Sequence, residues 1–236
     1  MWDENYKGRY VLIEPTDFCN CDCIMCTRAL LNVENPHNTP KGFMDFDIFK
    51  KIIDGLEFGN EPLAIKLFWI GESLLHPDFK LMLEYASRKI KGKKAYIDLH
   101  TNAILLTKAL MDFMLTLQET LPRITFSIDA ICAETHRKIR RGEGFEMAMK
   151  NIKYFVRARE KQHLLFPRFI FQFIIMEQNA DECKKFVDYW SSFLEREVRI
   201  NLAEAWPLLS KERKIQLLKQ HGVYEKYLEL ENGAKT

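Results

Sequence analysis

The segment from Glu14 to Cys26 reads EPTDFCNCDCIMC and contains four of the six cysteines of the chain. Three of them, Cys19, Cys23 and Cys26, follow the spacing C-x3-C-x2-C. They can bind three irons of a [4Fe–4S] cluster, because cysteine thiolates are the usual protein ligands of such clusters. No fourth ligand completes this spacing, so one iron would stay open to a ligand other than the protein. An open coordination position distinguishes reactive metal sites from structural ones.

A structural zinc site is the alternative interpretation of these cysteines. Such sites usually have four ligands in two spaced pairs, and the sequence contains no second pair. Cys183 lies on the apolar stripe of a predicted helix and is expected in the core. Cys132 follows the fourth predicted strand and lies near the expected mouth. A catalytic role for its thiol is the less favoured interpretation.

Composition limits the class of protein. The chain has 236 residues, 47% of them hydrophobic, which suits one large domain or two small ones. Its formal charge of +2 gives no strong nucleic-acid signal, and the basic runs 88–94 and 136–141 are expected to be solvated helix ends. No apolar stretch is long enough to span a membrane, and no signal peptide is recognisable. We therefore expect a cytoplasmic location with reduced cysteines.

Hydrophobic periodicity alternates between strands and helices along the chain. Strands are predicted at residues 10–14, 64–70, 95–100, 123–129, 168–176 and 198–202. Helical stripes are predicted at residues 46–56, 79–86, 106–117, 145–156, 183–194 and 210–220. This α/β order implies a parallel sheet with right-handed connections, either an open doubly wound sheet or a partial barrel.

Polar residues follow or end the predicted strands. In both architectures the carboxyl ends of the strands gather the chemistry, so these side chains are expected to converge with the cysteine loop on one mouth. They are Glu72, Ser73, Asp98, His100, Thr101, Asn102, Thr125, Ser127, Asp129 and Gln172. As a lone histidine, His100 is more simply a hydrogen-bonded structural residue, and Asp98 on the same face is treated in the same way.

The chain resembles the radical S-adenosylmethionine (SAM) enzymes over about residues 9–202. The cysteine spacing after a first strand is the family signature, and Met25 matches the large apolar residue that precedes the third cysteine. Residues 70–73, IGES, resemble the family motif GGEP but differ at Ile70 and Ser73. Thr101 and Asn102 and the FSID segment at 126–129 resemble the motifs that end the third and fourth strands. The resemblance implies a partial (β/α)6 barrel.

The resemblance also implies the cofactors and their ligands. SAM would bind the open iron of a [4Fe–4S] cluster and, after one-electron reduction, yield a 5′-deoxyadenosyl radical that abstracts a substrate hydrogen. Arg140 is either a partner of the SAM carboxylate or a surface cation, and Cys21 is expected to be a spectator. The implied metal ligands are Cys19, Cys23 and Cys26, and the implied cofactor-binding residues are Met25, Gly71, Glu72, Asn102, Ser127, Arg140 and Gln172.

In detail, Glu72 would accept a hydrogen bond from the SAM ammonium group. Asn102 and Ser127 would meet the ribose hydroxyls or the methionine carboxylate. Backbone groups near Met25 and in the strand containing Gln172 would hold the adenine. An external one-electron donor such as a flavodoxin or ferredoxin is implied as a partner.

Within the family, EPTDFCN and LLHPDF are similar to members that carry a C-terminal cysteine-rich extension of the SPASM or twitch type. The expected domains are a core at 1–206 and a helical tail at 207–236, which is either the start of a truncated extension or a shortened tail. The favoured substrate is a peptide or protein side chain. The alternatives are a cofactor- or nucleotide-derived small molecule and, in another class, an Fe–S protein for electron transfer or sensing. The reaction subtype (oxidoreductase, lyase or transferase) stays open.

Overall fold

The computed structural model describes residues 9–27, 42–193, 199–204 and 210–233. Its centre is a six-stranded sheet in which every strand is parallel to its neighbours and the spatial order follows the chain. The strands are β1 (Arg9–Leu12), β2 (Leu63–Lys66), β3 (Ala95–Thr101), β4 (Arg123–Ser127), β5 (Arg168–Ile175) and β6 (Arg199–Glu204). The predicted α/β class and parallel sheet are therefore confirmed.

Helices connect the strands in sequence order. They are α1 (Phe46–Asp54), α2 (Phe79–Ile90), α3 (Lys108–Leu115), α4 (Ala133–Arg140), α5 (Phe145–Lys161), α6 (Cys183–Phe193), α7 (Lys211–Gln220) and α8 (Tyr224–Gly233). Hydrophobic periodicity did not predict α4 or α8. In α4 the buried residues are Thr135, His136, Ile139 and Arg140, so the helix has no apolar stripe for periodicity to detect.

The end of β2 differs from the prediction. The apolar run continues to Ile70, but the strand ends at Lys66. Beyond Leu67, whose carbonyl accepts a hydrogen bond from the Ser73 hydroxyl, the chain leaves the sheet. This turn carries Gly71 and Glu72 towards the loop that follows β1.

The two faces of the sheet have different environments. The buried apolar residues of the strands, such as Ile65, Ile97 and Phe171, belong to one core cluster shared with the helices. Right-handed connections place all the intervening helices on this side. The opposite face, which we call the inner face, carries the alternate residues of each strand, including Lys66, Asp98, Arg123, Ser127 and Gln172.

The helices after β6 add to the same core. In the described part of the predicted tail, Leu217, Leu218 and Val223 belong to the core cluster. Cys183 is also buried in this cluster, as expected. None of the helices in the described ranges is both long enough and apolar enough to cross a membrane.

Candidate functional site

The cysteine loop, residues 13–26, is tied to several other parts of the chain through its backbone, and two of these parts contain predicted site residues. The amides of Asp22 and Ile24 donate to the carbonyls of Arg140 and Ile139, at 3.0 and 2.9 Å. On the other side, the amide of Glu72 donates to the carbonyl of Phe18 at 2.8 Å. The loop therefore bridges the end of α4 and the segment after β2.

Gly71 packs directly against the start of this loop. A Cβ atom at position 71 would lie 1.9 Å from the carbonyl oxygen of Thr16, so only glycine allows this approach. The carboxylate of Glu14 strengthens the junction, because one of its oxygens accepts from the amides of Ile70 and Gly71 at 2.8 and 3.0 Å. Gly71 therefore has a steric role against Thr16, in addition to its predicted role in cofactor binding.

Glu72 is buried and hydrogen-bonded on both carboxylate oxygens. Thr101 Oγ1 donates to Oε1 at 2.8 Å, and the amide of Asn102 donates to Oε2 at 2.8 Å. The amide of Leu74 makes a longer contact of 3.4 Å. Burial raises the pKa of Glu72, and these hydrogen bonds oppose the rise. The carboxylate is therefore held in one orientation, with lone pairs left to accept from a ligand.

Asn102 links the end of β3 to the cysteine loop. Its Nδ2 donates to Asn20 Oδ1 at 2.7 Å and lies 3.7 Å from the sulfur of Cys21. Its Oδ1 accepts from the amide of Ile104 at 3.1 Å. The amide that was expected to meet SAM therefore makes contacts that position the loop.

Arg140 is buried, so the interpretation as a surface cation is wrong, and the expectation of solvated helix ends fails for His136 as well. The guanidinium pairs with Asp129, and its NH1 lies 3.8 Å from the sulfur of Cys23. Burial lowers the pKa of Arg140, but Asp129 and the cysteine thiols raise it above its ordinary value. The side chain is thus a cation beneath the loop, directed at Asp129 and Cys23. Its expected pairing with the SAM carboxylate stays a prediction.

The thiols of the loop affect one another. A hydrogen bond with Cys21 lowers the pKa of Cys23 to about 7 against the effect of burial, and Arg140 acts in the same direction. A hydrogen bond with Cys21 also lowers the pKa of Cys19, whereas the pKa of Cys21 itself is raised. The two outer positions of this trio favour thiolate and the middle one favours thiol.

These residues fit an iron–sulfur cluster by the chemistry of their donors. Thiolate is the ligand form that such clusters require, and Cys19 and Cys23 are the thiols with lowered pKa values. Cys26 is partly exposed at the end of the loop, where its amide donates to the carbonyl of Cys23 at 3.1 Å. In the described residues, no three His, Cys, Asp or Glu side chains converge on one metal ion. A cubane has no such requirement, because each thiolate binds a different iron.

Ser127 and Gln172 lie side by side on the inner face. They are register partners on β4 and β5, and both are half-buried. The carbonyl of Gln172 accepts from the amides of Ile128 and Asp129 at 3.3 and 3.4 Å, which attaches the end of β4 to β5. Met25 is half-buried against the core. The predicted site residues thus occupy the cysteine loop, the segments around Gly71 and Arg140 that bond to it, and the carboxyl ends of β3 to β5.

Two other expectations had different outcomes. Asp98 lies below the mouth, where it pairs with Arg123, the first residue of β4. Cys132 is exposed, and its sulfur lies 3.0 Å from Glu182 and 3.4 Å from Thr135. These contacts attach Cys132 to the start of α4 and to the turn before α6.

The contacts of Glu14 and Asn20 were not anticipated. Both residues lie in the segment from Glu14 to Cys26, close to the cysteines in sequence. A polar side chain at such a position was the one feature that could have indicated a role in the site. Their roles depend on partners far along the chain, such as Asn102 at a separation of 82 residues.

The comparisons with known proteins agree with this geometry. A family model described as the radical SAM superfamily matches residues 13–189. The Pyrococcus furiosus protein named tungsten-containing aldehyde ferredoxin oxidoreductase cofactor-modifying protein is 32% identical over 123 residues, which are 52% of this chain and 31% of that protein.

Solved structures share the fold. Native anSMEcpe with bound AdoMet has a TM-score of 0.67 at 16% identity, covering 95% of this chain and 62% of that chain. Streptococcus suis SuiB bound to precursor peptide SuiA has a TM-score of 0.66 at 14% identity, covering 93% of this chain and 45% of that chain. The chain therefore spans less than two thirds of each of these relatives, and the shared architecture is the partial (β/α)6 barrel.

Proposed function

Because the chain belongs to the radical SAM superfamily, an enzyme family with a [4Fe–4S] cluster and SAM as cofactors, we propose that it cleaves SAM reductively and abstracts a substrate hydrogen. When bound, the cluster and SAM supply the electron and the 5′-deoxyadenosyl radical for this step. The ligands that we propose for the cluster are Cys19, Cys23 and Cys26.

The observation that carries the proposal is the environment of Glu72. A buried carboxylate with three hydrogen-bond donors from Leu74, Thr101 and Asn102 is oriented before any ligand arrives. Such a carboxylate suits an ammonium group, which gains most where solvent is excluded. The backbone amide of Glu72 also donates to the carbonyl of Phe18 in the cysteine loop. The cluster and the amino group of SAM would therefore be positioned together.

The other proposed SAM contacts come from the ends of neighbouring strands. Ser127 and Gln172 offer a hydroxyl and an amide on the inner face, suited to ribose hydroxyls and to adenine. Arg140 acts from below the loop: its charge stabilises the Cys23 thiolate, and Asp129 fixes its orientation. Asn102 would act mainly by fixing the loop through Asn20.

We propose a peptide or protein side chain as the substrate. Phe43 and Trp69 are exposed beside the site, and Phe43 forms a backbone bridge with Thr16 at the start of the cysteine loop. Exposed aromatic side chains at a mouth are typical of surfaces that bind polypeptides. The peptide complex of SuiB offers an analogy of fold only.

A small anionic molecule is the second candidate, because basic side chains line the inner face. The curated relative's name, a cofactor-modifying protein, agrees with this candidate. The two candidates can be separated with cell extract divided by ultrafiltration. Formation of 5′-deoxyadenosine above the background rate should follow the retained fraction for a protein and the filtrate for a small molecule.

Anaerobic reconstitution with iron and sulfide, followed by dithionite and SAM, tests the central proposal. We expect 5′-deoxyadenosine and methionine from the wild-type chain and from Cys183→Ala, and neither from Cys23→Ala. A spectroscopically intact [4Fe–4S] cluster that yields no 5′-deoxyadenosine would overturn the enzymatic proposal.

A further inference from the structure

The inner face contains a row of charged residues below the proposed cofactor site. Lys66, Asp98, Arg123 and Arg168 are consecutive register partners on β2, β3, β4 and β5. Side chains at register partners point to the same face of a sheet. Three cations therefore share this row with one carboxylate.

The single carboxylate is already committed to one of the cations. Arg123 binds Asp98 through two hydrogen bonds, Nε to Oδ1 at 3.1 Å and NH2 to Oδ2 at 2.8 Å. A bidentate pair of this kind satisfies both carboxylate oxygens. Arg123 thus neutralises the negative charge of Asp98, and Asp98 does not balance the positive charge of Lys66.

Lys66 forms no ion pair with any residue in the part of the chain that the structure describes. Its ammonium lies 4.4 Å from the centre of the Tyr10 ring, a cation–π contact that leaves its N–H donors available. Lys66 is half-buried, so an anion bound there would be partly shielded from water.

A histidine, His100, lies in the next row of the inner face. His100 stacks on Phe68 with ring centres 3.8 Å apart. Burial lowers its pKa to about 4, and Arg123 and Lys66 act in the same direction against Asp98. At neutral pH the imidazole is therefore uncharged, so the positive charge of this region comes from Lys66 and the arginines and not from His100.

The distance between the Lys66 row and the proposed SAM site sets the length of a substrate that could contact both. Arg123, in the Lys66 row, and Ser127 are four residues apart on β4, which corresponds to about 13 Å along the strand. Between these rows the inner face presents Phe68, His100, Thr125 and Ile170. A substrate with one end near Ser127 would reach the Lys66 row with its other end.

We propose that Lys66 binds an anionic group of the substrate, a carboxylate or a phosphate, at the end remote from the reacting hydrogen. The inference rests on the proposed function, because it takes the inner face as the substrate site. It applies to an acidic or phosphorylated group of a peptide as well as to a small anionic molecule. In the described part of the chain Glu14, just after β1, forms no ion pair with Lys66, and one of its oxygens binds the amides of Ile70 and Gly71.

Binding of simple anions to the reconstituted protein tests this site without any turnover. The probes are inorganic phosphate and succinate, titrated by calorimetry at constant ionic strength. We expect saturable binding of at least one of them, and phosphate alone or succinate alone would identify the chemical source of the anionic group. Lys66→Met should weaken the binding about tenfold, the effect of losing one charged hydrogen bond.

Two further variants control for folding and for nonspecific charge effects. Lys66→Arg keeps the cation and should keep affinity within about threefold of wild type. Lys150→Met removes the same charge from the exposed surface of α5, on the helical side of the sheet, and should leave the affinity unchanged. Thermal unfolding verifies that each variant is folded.

Absence of saturable anion binding would overturn the inference, as would a loss in Lys150→Met equal to or larger than that in Lys66→Met. Neither result bears on SAM cleavage, which dithionite and SAM measure separately. Failure of SAM cleavage with normal anion binding would instead overturn the proposed function, and with it the assignment of the bound anion to a substrate, while the anion site itself would stand.

Discussion

Arg140 and Asp129 form a buried ion pair that joins the last turn of α4 to the loop after β4. The same guanidinium lies 3.8 Å from the sulfur of Cys23, and Asp129 also accepts from the amide of Ile174 at 2.7 Å. The pair thereby connects a proposed cluster ligand with β5. A cation placed below the cysteine loop also lowers the cost of holding thiolates there.

Replacing Arg140 with leucine should destabilise the chain by about 3–5 kcal/mol, because Asp129 would be left buried without its counter-charge. Urea unfolding measures the change in free energy. Arg137→Ala is the matched control on the same helix, since Arg137 pairs with Glu143 on the surface and should matter much less. Equal losses in the two variants would contradict the role of the buried pair.

Cys23→Ala should abolish cluster binding, whereas Cys21→Ala should retain it, because Cys21 occupies a position of the family motif that does not supply a ligand. Iron and sulfide per chain after anaerobic reconstitution provide the measurement. Cys21 forms hydrogen bonds with both Cys19 and Cys23. The two variants therefore compare thiols of the same local cluster. Similar iron loss in both variants would refute the ligand assignment.

Glu72→Gln should weaken SAM binding about tenfold, since an uncharged amide replaces the acceptor of a charge-assisted hydrogen bond. Equilibrium dialysis with the reconstituted protein measures the affinity. Glu182→Gln is the control, because Glu182 is also buried but binds Ile131, Cys132 and Thr135 away from the loop. Weaker binding in the control alone would exclude Glu72 as the partner of the SAM ammonium.

Gly71→Ala should destabilise the chain by about 1–3 kcal/mol and lower its iron content, because the new methyl group would collide with the backbone of Thr16. Gly42→Ala tests the same substitution nearby, where no atom lies within 4 Å of the added carbon. Unfolding curves and iron analysis should separate the two variants clearly. A Gly71→Ala protein with normal iron content and stability would show that the loop does not need this close approach.

Acidification should destabilise the protein partly through His136, which is buried and whose pKa is lowered to about 4 from 6.5, mainly by burial. Between these pH values the unfolded chain binds the proton and the folded chain does not, so the free energy of unfolding falls as the pH decreases. His136→Gln should remove on the order of 3 kcal/mol of this dependence. Unfolding at several pH values measures it.

His163→Asn is the control for this pH dependence. His163 is exposed and has a left-handed backbone conformation that asparagine tolerates. Its replacement should leave the slope of stability against pH unchanged. The same slope in all three proteins would show that His136 titrates normally in the folded state.

Local pattern predicted the six strands and their succession along the chain, because each strand is a short apolar run between polar segments. It failed for α4, where burial of His136 and Arg140 depends on partners elsewhere rather than on an apolar stripe. It also extended β2 to Ile70, although the chain turns away after Lys66 to bring Gly71 against Thr16. Both failures lie where the chain builds the candidate site.

The sequence by itself determined the cysteine spacing, the alternation of strands and helices, and therefore the class of fold and the family. These features are local, since spacing and periodicity involve residues within a few turns of each other. Only the tertiary structure decided that Arg140 lies under Cys23, 117 residues away in the chain, and that Lys66, Asp98 and Arg123 share one row of the inner face. Such contacts depend on strand register and on the depth of burial, which act between distant segments and leave no periodic signal in the chain.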